Sequence, residues 1–213
     1  MTPPKQPDSA ATAQGPGAPA PKAPGLRERK KARTKAAIQR EAVRLFREQG
    51  YAATTVEQVA EAAEVAPSTV FRYFATKQDL VFTQEYELPF ATLLQAQAPD
   101  LTPVQAERRA IGSMLADLSD EELALQRERW LLITSEPELW GAGLAGITRS
   151  MRVMAEQVAK RAGLDPEAPP VRAYTGAVFG VLLQVSLDWA SSPDMDFAAT
   201  LDAALECLED IRP

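Results

Sequence analysis

Apolar residues recur every three or four positions along most of this chain, and the strict alternation of a half-buried strand is absent. Val56, Val59, Ala60 and Ala63 stand at i, i+3, i+4 and i+7, the stripe of a short helix with one buried face. Thr55 precedes that run, with Gln58 three residues on. This is a capping-box start, in which the hydroxyl accepts an orphan amide and the glutamine reaches back. Glu64-Val65-Ala66 breaks the pattern, and Pro67 suits the first turn of a second helix, where its missing N–H costs nothing. The spacing predicts Val70, Phe71 and Phe74 inward in that helix, with Ser68, Thr69, Arg72 and Tyr73 outward. Thr76-Lys77-Gln78-Asp79 reads as another capping box, opening a third helix that continues through Tyr86 and Leu88 toward Gln97, kinked at Pro89. Upstream, Ile38, Ala42, Leu45 and Phe46 mark a helix over residues 26–49 that packs on this pair, with Gly50 as its C′ residue.

Everything downstream also reads as helix, so the fold class is all-α. Thr102-Pro103 opens a segment to about Leu118, and Ser119 with Glu122 caps another through Trp130 to Ile133. Pro137 starts a third that ends near Gly163. Pro169-Pro170 precedes a long helix to Trp189, and Asp196 caps a last one to about Ile211. The helix over 170–189 is apolar nearly all round, so it must be covered on most sides. Ala173, Gly176, Ala177 and Gly180 on it allow close backbone approach, and Leu201 and Leu205 add a stripe on the last helix. Both features suit either monomer core or a partner helix. In the middle segments, Met114, Trp130, Ile133, Trp140, Leu144, Ile147 and Met151 suit either core or an apolar pocket between helices.

Charge changes the picture. The 213 residues carry a net charge of −6, but the average hides a split. Residues 1–80 hold 13 Lys and Arg against 8 Asp and Glu, a net of +5, while residues 81–213 hold 10 against 21, a net of −11. A basic front end on an acidic body confines phosphate binding to one face. Arg27, Arg29, Lys30, Lys31, Arg33 and Lys35 cluster at the start of the first helix, where positive charge opposes the macrodipole. A nucleic-acid backbone supplies the reason the helix does not. Residues 1–25, with seven prolines and three glycines, cannot bury enough apolar surface to order, and read as a disordered tail without the apolar run of a signal peptide. No run approaches the ~20 apolar residues that span a bilayer, so no membrane partner is expected.

Catalysis finds no support. The chain has no histidine, which removes the commonest general base and metal ligand, so neither metal nor cofactor is expected. Cys207 is the single cysteine, it lies between Glu206 and Glu209, and acidic neighbours discourage a thiolate. One cysteine also excludes an internal disulfide framework and suits a reducing cytoplasm.

Two short helices joined by a tight turn match a helix-turn-helix. The run Gly50-Tyr51, Thr54-Thr55-Val56, Val59-Ala60, Ala62-Ala63, Val65, Thr69-Val70-Phe71, Tyr73-Phe74, Lys77 and Leu80 resembles the DNA-binding end of TetR-type transcriptional regulators. The resemblance runs from about Arg33 to Phe82. It implies a DNA-binding domain over 26–82 and a helical ligand-binding and dimerisation domain over 83–213. It further implies a cytoplasmic, nucleoid-associated homodimer that represses from a pseudo-palindromic DNA operator and is released by a small apolar effector. In DNA contact it implies Arg33, Thr55, Ser68, Thr69, Arg72, Tyr73 and Lys77, with Arg72 the expected base reader because a guanidinium grips guanine O6 and N7 together. The helices holding Ala173, Gly176, Ala177, Gly180, Leu201 and Leu205 form the dimer bundle in that family. The methionine- and tryptophan-bearing middle would then be the effector pocket. The stretch Glu128-Arg129-Trp130 to Pro137-Glu138-Leu139 is similar to a branch sensing fatty acyl thioesters, for which Arg127, Arg129, Arg149 or Arg152 would meet the anionic head group. Three departures stand out: Phe71 where tyrosine is usual, Glu64 in place of the turn glycine, and Ala66 in place of a capping serine. The first two keep a second reading open, a helical protein-interaction module with a vestigial head.

Overall fold

A computed structural model describes residues 25–82 and 87–209 of the protein, without the side chains of residues 87–89. The Pro-rich tail over 1–24, residues 83–86 with Tyr86, the Leu88 side chain and Ile211 lie outside the described residues. Among the described residues the structure is all helix and turn, with no strand. α1 (Leu26–Gln49), α2 (Val56–Ala62) and α3 (Pro67–Tyr73) form the head. α4 (Glu87–Gln95), α5 (Pro103–Ala116), α6 (Asp120–Ser135), α7 (Pro137–Ala162), α8 (Pro169–Ser191) and α9 (Phe197–Glu206) form the body.

The helix starts follow local chemistry. At α2, Gln58 N donates to Thr55 Oγ1 at 3.2 Å and Thr55 N donates to Gln58 Oε1 at 2.8 Å, so both arms of the capping box are made. The same reciprocal pairing joins Thr102 with Gln105 at α5 and Ser119 with Glu122 at α6. The Ser119 amide and hydroxyl hold the Glu122 carboxyl below its ordinary range. Asp196 Oδ1 accepts from Ala199 N at 2.9 Å to start α9. Gly163 ends α7 in a left-handed conformation, φ 68°, with Leu164 N donating to Ala159 O at 2.9 Å.

The head buries Ile38, Ala42, Val43 and Phe46 of α1 against Val59, Ala60, Val70, Phe74, Leu80 and Val81. Phe46 and Tyr51 meet edge to face with centroids 5.0 Å apart. Leu132 of α6 and Leu139 of α7 are buried in this same cluster, so one apolar core crosses from head to body. Salt bridges line that seam: Arg40 Nε to Glu121 Oε1 at 3.3 Å and Arg47 Nε to Glu128 Oε2 at 2.7 Å. Gln78 Nε2 donates to Glu138 Oε1 at 2.5 Å alongside them.

The body core gathers Met154, Val158 and Ala159 of α7, Val171, Tyr174, Val178 and Val185 of α8, and Leu201 and Leu205 of α9. α8 packs against α6, α7 and α9, which covers most of its apolar circumference. Arg161, in the last turn of α7, donates to the carbonyls of Gln97, Ala98 and Leu101 and so fastens the exit of α4.

Two expectations need correction. The third helix does not run on from the Thr76 box. The box forms, with Asp79 N donating to Thr76 Oγ1 at 3.2 Å and Thr76 N to Asp79 Oδ2 at 2.9 Å. Only a 3₁₀ turn, Gln78–Leu80, follows before the chain leaves helical geometry at Phe82. Leu80 and Val81 are pinned in the head core, and the Phe82 carbonyl accepts from Gln39 Nε2 at 3.2 Å. Pro89 then falls within α4, whose described residues begin at Glu87. The last helix stops at Glu206, short of Ile211, with a turn over 207–209.

Candidate nucleic-acid interface

α3 is placed by its apolar side. Val70 and Phe74, four residues apart, are buried at 1% and 3% exposure and fix the helix against α1 and α2. Thr54 secures the approach to α2: its buried hydroxyl donates to Gly50 O at 2.8 Å, and its oxygen accepts from Gln49 Nε2 at 3.1 Å. What remains outward is a short polar face. Ser68 and Arg72 are exposed, and Thr69 is half-buried at its edge. The Arg72 guanidinium lies 5.1 Å from the centroid of the Tyr73 ring, which steadies it without spending its donors. Thr55 is exposed beside this face, and its oxygen already accepts the Gln58 amide, which leaves the O–H to donate. Arg33 is exposed on α1, together with Arg27, Arg29, Lys30 and Lys31.

Three placements differ from the sequence expectation. Phe71, expected inward, is 54% exposed. At about 100° per residue it lies a large rotation from Val70, out beside Ser68. Tyr73, expected outward, is half-buried and packs against the head core. Lys77, expected to face phosphate, turns its ammonium inward to the carbonyls of Tyr51 and Ala52. That ammonium lies 4.3 Å from the Tyr51 ring centroid, and its pKa is lowered by burial. It braces the loop that leads into Thr55. Neither Thr54 nor Lys77 announces such a bracing role in the sequence, because their carbonyl partners are fixed only by the folded loop.

The body sites also move. Of the residues expected to line a pocket, Trp140 and Leu144 are exposed at 38% and 53%, Ile133 packs on the head core, and Met114, Trp130, Ile147 and Met151 are half-buried. A cleft of about 310 Å³ opens elsewhere, between the end of α5, α6, the end of α8 and the start of α9. Leu115, Leu123, Arg127, Trp189, Met195 and Phe197 line it. Trp189 and Phe197 face each other with centroids 4.6 Å apart, and Arg127 Nε donates to Ala190 O at 3.2 Å. None of the seven expected residues lines this cleft; Trp140 alone of them borders a second, shallower one with Thr134, Pro137 and Leu187. Sequence spacing missed the first cleft because α8–α9 loop residues close it. Arg129 is buried, and Arg149 and Arg152 are exposed on α7.

Leu201 and Leu205 are each 1% exposed within the protomer, since α9 turns its leucine stripe onto α8, so they are core residues. Ala173, Gly176, Ala177 and Gly180 share a face that is open or half-open, and a Cβ added at Gly176 or Gly180 would meet nothing within 4 Å.

A basic helical head with a short outward reading helix, joined to an acidic helical body, defines a helix-turn-helix DNA-binding regulator. Residues 38–83 match the family described as bacterial regulatory proteins, tetR family, and residues 101–213 match the MftR C-terminal domain of that class. The chain is 34% identical over 201 residues to the HTH-type transcriptional regulator TcmR of Streptomyces glaucescens, covering 91% of this chain and 89% of TcmR. The protein belongs to the TetR family: it is a DNA-binding transcriptional regulator and not an enzyme. Among solved structures, the fold is similar to SmeT, the repressor of the Stenotrophomonas maltophilia multidrug efflux pump SmeDEF, in its triclosan complex. The TM-score is 0.57 and the identity 24%, over 82% of this chain and 91% of SmeT. It is also similar to FadR of Bacillus subtilis in complex with stearoyl-CoA, with TM-score 0.53 and 21% identity over 81% and 96% of the two chains. No described helix is long and apolar enough to cross a membrane.

Proposed function

We propose that the protein is a homodimeric repressor that reads a pseudo-palindromic operator with α3 and is released when a compact ligand with a largely apolar body and one polar group enters the body domain. The observation that carries this reading is the outward face of α3. It presents Ser68 and Arg72 to solvent on a basic head while the body is acidic. Two copies give two reading heads, and the open face of α8 around Gly176 and Gly180 is the natural place for the copies to meet. The described cleft is small. At about 310 Å³ it sits near the lower end of the ~300–1,000 Å³ usual for ligand sites. Its aromatic pair and Arg127 favour a compact aromatic ligand with an anionic or polar group over a long-chain acyl thioester.

Selection of bound sequences from a random duplex pool at fixed salt tests the proposal. An enriched pseudo-palindrome is expected, with small aromatic acids then screened for release. Arg72→Ala should relax sequence preference at the base pair it reads while keeping most affinity for random duplex, at a cost of ~1–3 kcal/mol on the enriched site. A folded protein that enriches nothing would sink the operator reading.

A further inference from the structure

We propose that Phe71 reads a thymine in the major groove through contact with its 5-methyl group, an inference that rests on α3 being the base-reading helix. The ring is 54% exposed although Val70 and Phe74, on either side in sequence, are buried. It is therefore no part of the core that fixes α3, and its position on the helix is set by those two neighbours. It stands on the same outward face as Ser68 and Arg72. Those two side chains supply a hydroxyl and a guanidinium for base edges and phosphates. A phenyl ring supplies neither donor nor acceptor. In the major groove the apolar feature that distinguishes one base pair from the others is the thymine methyl, and an aromatic ring is one of the side chains that contacts it. An apolar ring held out on a polar reading face thus has a partner of matching chemistry, and the contact removes both groups from water.

The full-length protein and its Phe71→Ala variant are each taken through selection on the random duplex pool. Every thymine of the enriched site is then replaced singly by uracil, which deletes the methyl and leaves base pairing intact. At one thymine per half-site, uracil should weaken the wild-type protein by about fourfold, the loss expected for one buried methyl group. The variant should be indifferent to that replacement and should lose its preference at that base pair. Phe71→Leu, which keeps an apolar side chain, should retain part of the methyl sensitivity. Because the ring lies outside the core, the melting curve of Phe71→Ala should overlay that of the wild type. A wild-type protein indifferent to every uracil, or a variant that keeps the same sensitive thymine, overturns the assignment and leaves operator reading intact. Failure of the wild-type protein to enrich any sequence overturns both.

Discussion

Glu64 carries a left-handed backbone, φ 53°, alone among the described residues that are not glycine. The geometry is demanded by the way α2 ends: Val65 N donates to Ala60 O at 2.9 Å, which requires the residue between to turn left-handed. A Cβ resists that region, so Glu64→Gly should stabilise the protein by about 1 kcal/mol. Urea unfolding should show a higher midpoint at unchanged slope. In the sequence Glu64 stood out only as a departure from the turn glycine of the resembled family, whereas the caps at Thr55, Thr102, Ser119 and Asp196 were legible because each is settled within a few residues. Phe71 and Lys77 were not. Three apolar residues in and just after a seven-residue helix look like one stripe, yet only Val70 and the C-cap residue Phe74 share a buried side. Lys77 finds its carbonyls 25 and 26 residues upstream, where no local pattern points.

At the scale of the helix, proline and capping residues marked nearly every start, and the all-helical class followed from them. The sides that each helix buries were less legible. α9 shows a leucine stripe that fits an interface as well as a core. The choice is made by Arg108 of α5, whose Nε and Nη2 donate to Asp202 Oδ1 and Oδ2 at 2.7 and 2.8 Å and whose Nη1 donates to Glu209 Oε1 at 2.8 Å. That clamp holds α9 with Leu201 and Leu205 inward. α8 keeps its small residues outward, so its open face can be tested without disturbing the core. A Cβ added at Gly180 meets nothing within 4 Å in the protomer, so Gly180→Arg starts its side chain in open space. A single helix interior glycine replaced by arginine gains roughly 0.5–1 kcal/mol of helix propensity. The expected outcome is a fold as stable as before, a halved mass in sedimentation, and operator affinity reduced by at least tenfold. An undiminished dimer would exclude this face as the seam between copies.

Across the whole molecule, the division of charge in the sequence foretold which end faces DNA, while the internal polar pair of the body was hidden. Glu107 is 1% exposed, and its Oε2 accepts from the Tyr174 hydroxyl at 2.7 Å. Burial raises its pKa from near 4.5 to about 7, with the tyrosine hydrogen bond working the other way. The folded state therefore holds this proton where the unfolded chain has released it. Stability contributed by the neutral form is full below about pH 4.5 and declines as pH rises toward about 7. Glu107→Gln keeps an acceptor for Tyr174 without a charge, so thermal melts from pH 5 to 8 should lose most of this decline. Identical slopes in both proteins would remove Glu107 as its source.

The shared cluster in which Leu132 and Leu139 complete the core of the head bears on how such regulators are recombined. A cut at residue 82 severs the chain at a plausible boundary but strips two buried leucines from the excised piece. Grafting this head onto a foreign sensor therefore calls for grafting the α6–α7 corner with it, or for a host whose own corner offers the same two side chains. The portable unit is discontinuous in sequence, and a chimera joined at one point inherits an unfilled hole in the core of the head, where α1 meets α6.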